Sequence, residues 1–206
     1  MENSFRYFIL LFVALSFMLS GCKEDVPFNE KYDGTPFDFQ KVYRFPAIDI
    51  PPDNPLTIAK VDLGRKLFYD QQVSKSKTMS CATCHNLEDS FTDNGLVLST
   101  NDLGDLTKRN ATPLFNLAWT DKGFFWDGRV MTLEEAVEDA VNNEQHPEWG
   151  TTLASLQDDE TYSLEFSQSF TNAEVSEENV IKAIASFLRI IVSKDSKYDQ
   201  SVRGQA

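Results

Sequence analysis

The stretch Ser80-Cys81-Ala82-Thr83-Cys84-His85-Asn86 decides how the rest of the chain is read. Two thiols three positions apart, each able to add to a haem vinyl group, are followed at once by a histidine placed to bind the iron. A structural zinc competes, but it normally takes four ligands, and the sequence holds only two histidines, His85 and the distant His146. A thioredoxin-like redox pair lacks the surrounding βαβ pattern, and a plain disulfide is the dullest alternative.

The N-terminus bears on this choice. Met1 to Cys22 has a basic Arg6, then an apolar run from Tyr7 to Leu19, and closes Leu19-Ser20-Gly21-Cys22. A short apolar run ending in small residues is an export signal rather than a membrane span. A cysteine directly after Leu-Ser-Gly resembles a bacterial lipoprotein box, so Cys22 is expected to carry lipid and anchor the mature chain. Glu2 makes the leader less basic than usual. Export places the chain on the periplasmic side of a bacterial membrane, where c-type haem is attached. The acidic pair in Cys22-Lys23-Glu24-Asp25-Val26 also resembles signals for cell-surface exposure.

Asp and Glu number 32 against 19 Lys and Arg, a net charge of −13, which argues against nucleic acid and suits a basic partner or simply a solvated surface. Sixteen phenylalanines are enough to line an apolar core or cofactor pocket.

Residues 23–54 carry Pro27, Pro36, Pro46, Pro51 and Pro52 without helical periodicity, and are expected to form an extended tether and entry arm. From Asn54 to Asp70, Leu56, Ala59, Leu63 and Leu67 recur near helical spacing, with Pro55 suited to the first helical position. Thr132 to Asn143 reads as a helix with a Thr132/Glu135 capping box. Thr151–Gln157 and Tyr162–Phe170 are short helices at best. The strongest helix runs from Ser176 to Ser193, with Glu177 and Glu178 early and Val180, Ile181, Ile184, Phe187, Leu188 and Ile191 on one face. No strand ladder or internal repeat stands out. The class is mostly α, with long loops, and residues 55–206 form one domain.

Five blocks resemble the bacterial di-haem cytochrome c peroxidase family, including its branch that matures methylamine dehydrogenase. They are FPAIDIPPDNPLTIAKVDLGRKLFYD (45–70), MSCATCHNLEDSFTD (79–93), KRNATPLFNLAWTDKGFFWDGRVMTLEEAV (108–137), HPEWG (146–150) and AIASFLRIIVSKDSKYDQSVRG (183–204). The resemblance implies a cytochrome c-like helical domain around a covalent haem c, held by Cys81, Cys84 and His85. The family's second domain has its own C-x-x-C-H. This sequence has one such motif, so it is read as the N-terminal, peroxide-reactive haem domain without the second, with a mono-haem relative as the alternative.

The resemblance also implies roles. Glu148 matches the glutamate that moves a proton between the two oxygens of peroxide, so that water leaves as they part. Trp126 matches an electron-relaying tryptophan between the haems, its competing reading being a core aromatic. Arg109, and with it Arg129, pairs with haem propionates or with Asp127. Phe91 packs near the haem. Asn110 matches part of a calcium site, implied only together with the second domain. The family often carries an iron-blocking histidine before its Arg-Asn pair, whereas Gly95 to Asn110 contains none. Candidates for a sixth ligand are then His146, Met79 and Met131, the last two better read as packing residues. The implied activity is reduction of hydrogen peroxide with electrons from a small cytochrome c or cupredoxin. A lipid-anchored electron carrier and a haem-containing maturation oxidase are the alternatives.

Overall fold

Thr57 starts the first helix: its backbone is extended and its hydroxyl accepts the Lys60 N–H at 3.3 Å. In the computed structural model, which describes residues 31–93 and 95–205, helix α1 therefore spans Ile58–Tyr69 and not the expected Asn54 start. Pro55 stays outside it, because Asn54 is committed elsewhere. The Asn54 amide donates to Glu134 Oε1 at 2.7 Å and to the Lys182 carbonyl at 3.1 Å, both from other helices.

The described part of the entry arm is extended and lies on the helices. Phe37 donates to the Leu56 carbonyl, Ile58 to that of Thr35 and Asp33 to that of Gln168. Trp119 sits between Phe39 and Phe45 and donates its indole N–H to the Pro46 carbonyl. The expected leader and the expected lipid site at Cys22 fall outside the described residues, as does the first part of the tether.

Single-turn α2 is Cys81–Cys84, and α3 is Leu133–Ala140 with the expected Thr132/Glu135 capping box. The next five residues, Val141–Gln145, form a π turn rather than more α-helix. Helices α4 (Trp149–Asp158) and α5 (Glu160–Ser169) are longer than the sequence suggested, and Asp159 between them caps α5 through the N–H groups of Thr161 and Tyr162. Helix α6 is Glu177–Arg189, capped by Ser176. A last helix, α7 (Lys197–Val202), went unread; Ser196 and Asp199 box its start. Isolated bridges are the only β pairing among the described residues, and no described helix is long and apolar enough to cross a membrane.

The core is α1 crossed against α6, with α3 and α5 on its flanks. Leu63, Leu67, Phe68, Phe166, Val180, Ile184 and Leu188 fill it. The crossing is close because Gly64 leaves no Cβ between α1 and the Ala183 carbonyl. One polar cluster ties the core together. Arg189 of α6, 4% exposed, donates to both oxygens of Glu134 at 3.0 Å, and Lys60 donates to Asn54 and the Pro55 carbonyl at 3.0 Å each. Helix α1 also braces α2, and thereby the two thiols.

Candidate haem site

Cys81 and Cys84 are one helical turn apart because Ser80 stops the chain's extended run: its N–H donates to Thr83 Oγ1 at 3.0 Å, and its carbonyl accepts the Thr83 N–H. Both thiols are free. Burial pushes the Cys81 thiol up to about 11, against a hydrogen bond from Gln145 Nε2 at 3.2 Å. Burial also raises Cys84. Both are held as neutral thiols.

His85 ends the turn, and the loop after it fixes the imidazole. Phe91 N–H donates to the Asn86 carbonyl at 2.7 Å and Asn86 N–H to that of Thr92 at 3.0 Å. This tight closure puts Ser90 and Phe91 in left-handed backbone, at φ 60° and 58°, a strained state for residues with side chains. Its product is the Phe91 carbonyl, 2.8 Å from His85 Nδ1. A carbonyl only accepts, so Nδ1 carries the proton and Nε2 keeps the lone pair a metal needs. Burial lowers the basicity of His85, which favours that neutral ring, although backbone contacts at Phe91 and Thr112 oppose it. Phe91 itself is buried with its ring against Phe68.

These three residues form one wall of a cavity of about 660 Å³, within the usual range for cofactor sites. Residues 106–112 and residues 125–127 with 129 form two further walls, and 139, 140 and 143–145 close it. Arg109, Trp126, Arg129, Met79 and Asn110 all line it. Arg109 pairs with Asp127 at 2.6 Å, holding that carboxylate below its usual range, and Arg129 bridges Asp127 and Asp139 while its guanidinium lies 3.7 Å from the Phe125 ring centre. Trp126 is 59% exposed and donates to the Asn110 carbonyl at 3.1 Å, so its core reading fails. Met131 is no core residue either, at 63% exposed; it precedes the α3 cap on the outer surface. His146 is not among the lining residues, and its Nε2 lies 3.4 Å from the Asn101 amide.

The carboxylates fall differently from the sequence reading. Glu148 stands at the start of α4, outside the lining residues, with its side chain 62% exposed and 3.4 Å from Lys75. Glu144 lines the cavity, half-buried, and burial raises its pKa. The π turn makes the difference. One extra residue in the turn rotates Glu144 and Gln145 relative to an α-helical path, and the backbone is pinned there by Asp102 N–H on the Glu144 carbonyl and Lys75 N–H on that of Gln145. Gln145 is 4% exposed, and its Oε1 is buried without a partner. The Asn142-Asn143-Glu144-Gln145 run after a strong helix was the available signal, since polar residues seldom continue a buried helical face.

The residues fit a haem: paired neutral thiols on one turn, an imidazole with its metal-binding nitrogen left free, arginines at the rim, and an orphaned polar atom inside. The zinc reading fares worse, because among the described residues no group of three or more His, Cys, Asp or Glu is placed to hold a metal ion.

A helical fold with long loops around such a cavity defines the class, a haem domain of the cytochrome c peroxidase fold. Residues 58–206 match the model of the di-haem cytochrome c peroxidases, and the chain belongs to that family. It is 31% identical over 202 residues to the methylamine utilization protein MauG of Methylophilus methylotrophus, covering 97% of this chain and 57% of that protein. It is 32% identical over 162 residues to cytochrome c peroxidase Ccp of Escherichia coli K12, covering 77% of this chain and 34% of the other. Among solved structures, a MauG-like protein associated with microbial copper homeostasis superposes with a TM-score of 0.76 at 30% identity, over 82% of this chain and 51% of that one. The chain thus spans about half the length of the proteins it matches. The family implies haem c and peroxidase-type oxidoreductase chemistry.

Proposed function

We propose that this chain is a peroxide-reducing haem domain, lipid-anchored through Cys22 on the periplasmic side of a bacterial membrane. The observation that carries the reading is the convergence of Cys81, Cys84 and the Nδ1-anchored His85 on one cavity. Cys81 and Cys84 would hold the haem through thioether bonds, and His85 Nε2 would bind its iron. When bound, the haem supplies the centre at which one peroxide, two electrons and two protons become two waters.

The chain's own residues do the rest. Burial keeps both thiols neutral until they react, and the Phe91 carbonyl holds the His85 ring in the metal-binding tautomer. Arg109 and Arg129 offer cationic charge to propionates at the rim, sharing it with Asp127. Proton transfer between the two peroxide oxygens needs a carboxyl within the cavity. Glu144 is the better placed of the two, lying in the cavity where burial pushes its pKa up, whereas Glu148 sits exposed beside Lys75. Electrons come from a small cytochrome c or cupredoxin. Exposed Trp126 at the cavity wall is the aromatic through which they enter.

The likeness to MauG over nearly the whole chain favours one second reading, in which the same site oxidises a residue of a partner protein.

The test uses the full chain matured in a host that attaches c-type haem. Consumption of peroxide with stoichiometric oxidation of two equivalents of a one-electron protein donor supports the peroxidase. Peroxide consumption with no small donor oxidised points to the protein-oxidising reading, and a haem spectrum inert to peroxide in both oxidation states leaves an electron carrier. Glu144→Gln should slow the peroxide reaction by about 100-fold, the usual scale for a general acid–base group, with Glu148→Gln near wild type. The reverse order returns the role to Glu148.

A further inference from the structure

The π turn that carries Glu144 into the cavity wall is held from outside by two loops, and one side chain joins those loops. Asp102 donates its N–H to the Glu144 carbonyl at 2.8 Å, and Lys75 donates its own to the Gln145 carbonyl at 3.0 Å. Asp102 also turns its carboxyl to the second loop. Its Oδ2 accepts the Ser76 N–H at 2.7 Å, and its Oδ1 accepts the Ser76 hydroxyl. Because Ser76 directly follows Lys75, these contacts close a ring from Glu144 through Asp102, Ser76 and Lys75 to Gln145. The loop does not need the Asp102 carboxyl for its own shape. Asn101 supplies that: its carbonyl accepts from Gly104 at 3.0 Å, and its Oδ1 accepts from the N–H groups of Leu103 and Asp105 at 3.0 and 2.9 Å. The Asn101 amide also lies 3.4 Å from His146 Nε2, just past the turn.

We propose that Asp102 is a positioning residue for Glu144: by binding Ser76 it couples the two loops and holds the π turn in the register that keeps Glu144 on the cavity wall. The inference rests on the assignment of peroxide proton transfer to Glu144 above. A π turn is a rare register that lasts where its surroundings over-determine it, and a return to α-helix would rotate Glu144 and Gln145 away from their present directions. Either backbone pin alone leaves one residue of the turn free to follow its own loop. The Asp102 carboxyl removes that freedom, since neither loop can shift without breaking its two bonds to Ser76. Hydrogen bonds between part-exposed groups contribute modestly to overall stability. Proton transfer is far more demanding, because a small misplacement of the transferring group slows it steeply. Asp102 therefore acts on rate through Glu144 and only weakly on the fold.

The experiment compares Asp102→Ala, Asp102→Asn, Glu144→Gln and the Asp102→Ala/Glu144→Gln pair in the full chain. Stopped-flow mixing of the haem-loaded proteins with peroxide should show Asp102→Ala slowed about tenfold, against about 100-fold for Glu144→Gln. Asp102→Asn should stay within about twofold of wild type, because its Oδ1 still accepts the Ser76 N–H and its amide can donate to the Ser76 hydroxyl. That hydroxyl is free to turn its own proton to Thr78 Oγ1, 2.6 Å away. In the Glu144→Gln background Asp102→Ala should add less than about twofold, as expected of two residues acting as one unit. Amide hydrogen exchange, read with and without haem, should quicken at positions 75 and 102 in Asp102→Ala alone and stay unchanged in α6. Wild-type rate in Asp102→Ala beside a slow Glu144→Gln overturns the proposal and spares the reading beneath it. A full tenfold loss on top of Glu144→Gln, or unchanged exchange at 75 and 102, also overturns it. Should Asp102→Ala not fold, Asp102→Ser is read in the same way, and loss of fold in both assigns Asp102 a structural role and overturns it. Wild-type rate in Glu144→Gln, or a chain that takes no haem by pyridine haemochrome spectra, fails at the underlying reading and removes the proposal with it.

Discussion

Gly64→Ala puts a single methyl at the crossing of α1 and α6. The new Cβ would lie 1.9 Å from the Ala183 carbonyl oxygen, 2.5 Å from its carbon and 3.1 Å from Phe187 Cβ. Unbonded heavy atoms prefer about 3.5–4.0 Å, so relief needs the helices to part by well over an ångström. The obstacle is backbone, and no rotamer change clears it. Overpacking a tight core costs about 1–3 kcal/mol, and a clash with a carbonyl belongs at the top of that range. Alanine's better helix propensity returns about 1 kcal/mol. The expected net loss is about 2 kcal/mol, or a fall in melting temperature of about 4–8 °C for a chain of this size. Circular dichroism melts and urea titrations of the haem-loaded protein read both numbers. An unchanged or raised melting temperature would refute the close crossing, because propensity would then be the only term left.

Arg189→Met removes one half of a buried ion pair and leaves Glu134 with Asn54 as its remaining donor. Breaking such a pair should cost ~3–5 kcal/mol by urea denaturation, partly recovered on adding Glu134→Gln, and a loss below ~1 kcal/mol would show the pair to be solvated. Burial brings Lys60 down to about 8 from its ordinary value of 10.5. The unfolded chain therefore holds more protons between those two values, and stability should rise with pH across that window in wild type relative to Lys60→Met. A flat difference there would mean Lys60 is not desolvated. In haem-free protein, moving the Cys81 thiol from 9.0 to about 11 leaves about 100-fold less thiolate near neutral pH. Alkylation at Cys81, followed by mass spectrometry, should be slower than in the urea-unfolded chain by that order, and equal rates would place the thiol in water.

Where local chemistry and global fold agree, the sequence announces the structure. Ser176 followed by two glutamates and an apolar stripe gives α6, and Thr132 with Glu135 gives the start of α3. Pro55 misled because propensity for a first helical position is worth little beside the Asn54 amide bridging two other helices, a tertiary demand with no local signature. Asp159 was missed as the cap that lets α4 and α5 run to full length on either side of it. At the site, Cys81, Cys84 and His85 were legible as a C-x-x-C-H motif, and the structure brings all three to one cavity. Glu144 was not, since a π turn depends on long-range pinning by Asp102 and Lys75, residues far away along the chain.

Several departures from local rules gather at the site. Ser90 and Phe91 take left-handed backbone, Val141–Gln145 takes a π turn, and Gln145 and Asp93 each bury an unpartnered side-chain oxygen. Each lies on the cavity wall or in the loop that holds His85. Strain of this kind costs on the order of 1–3 kcal/mol at each place and survives only where surrounding contacts over-determine it. The α1–α6 core, with its close glycine crossing and buried ion pair, supplies those contacts on one side, and the Asn86–Thr92 closure supplies them on the other. A sequence tuned for folding alone would place glycine at 90 and 91, continue α3 as α-helix and leave no unpartnered oxygen at 93. This one keeps several exceptions around the cavity, while others, such as left-handed Asn116 and Ala173 and the unpartnered Arg189 Nη1, lie elsewhere, so the cluster is a second mark of the site beside the C-x-x-C-H motif.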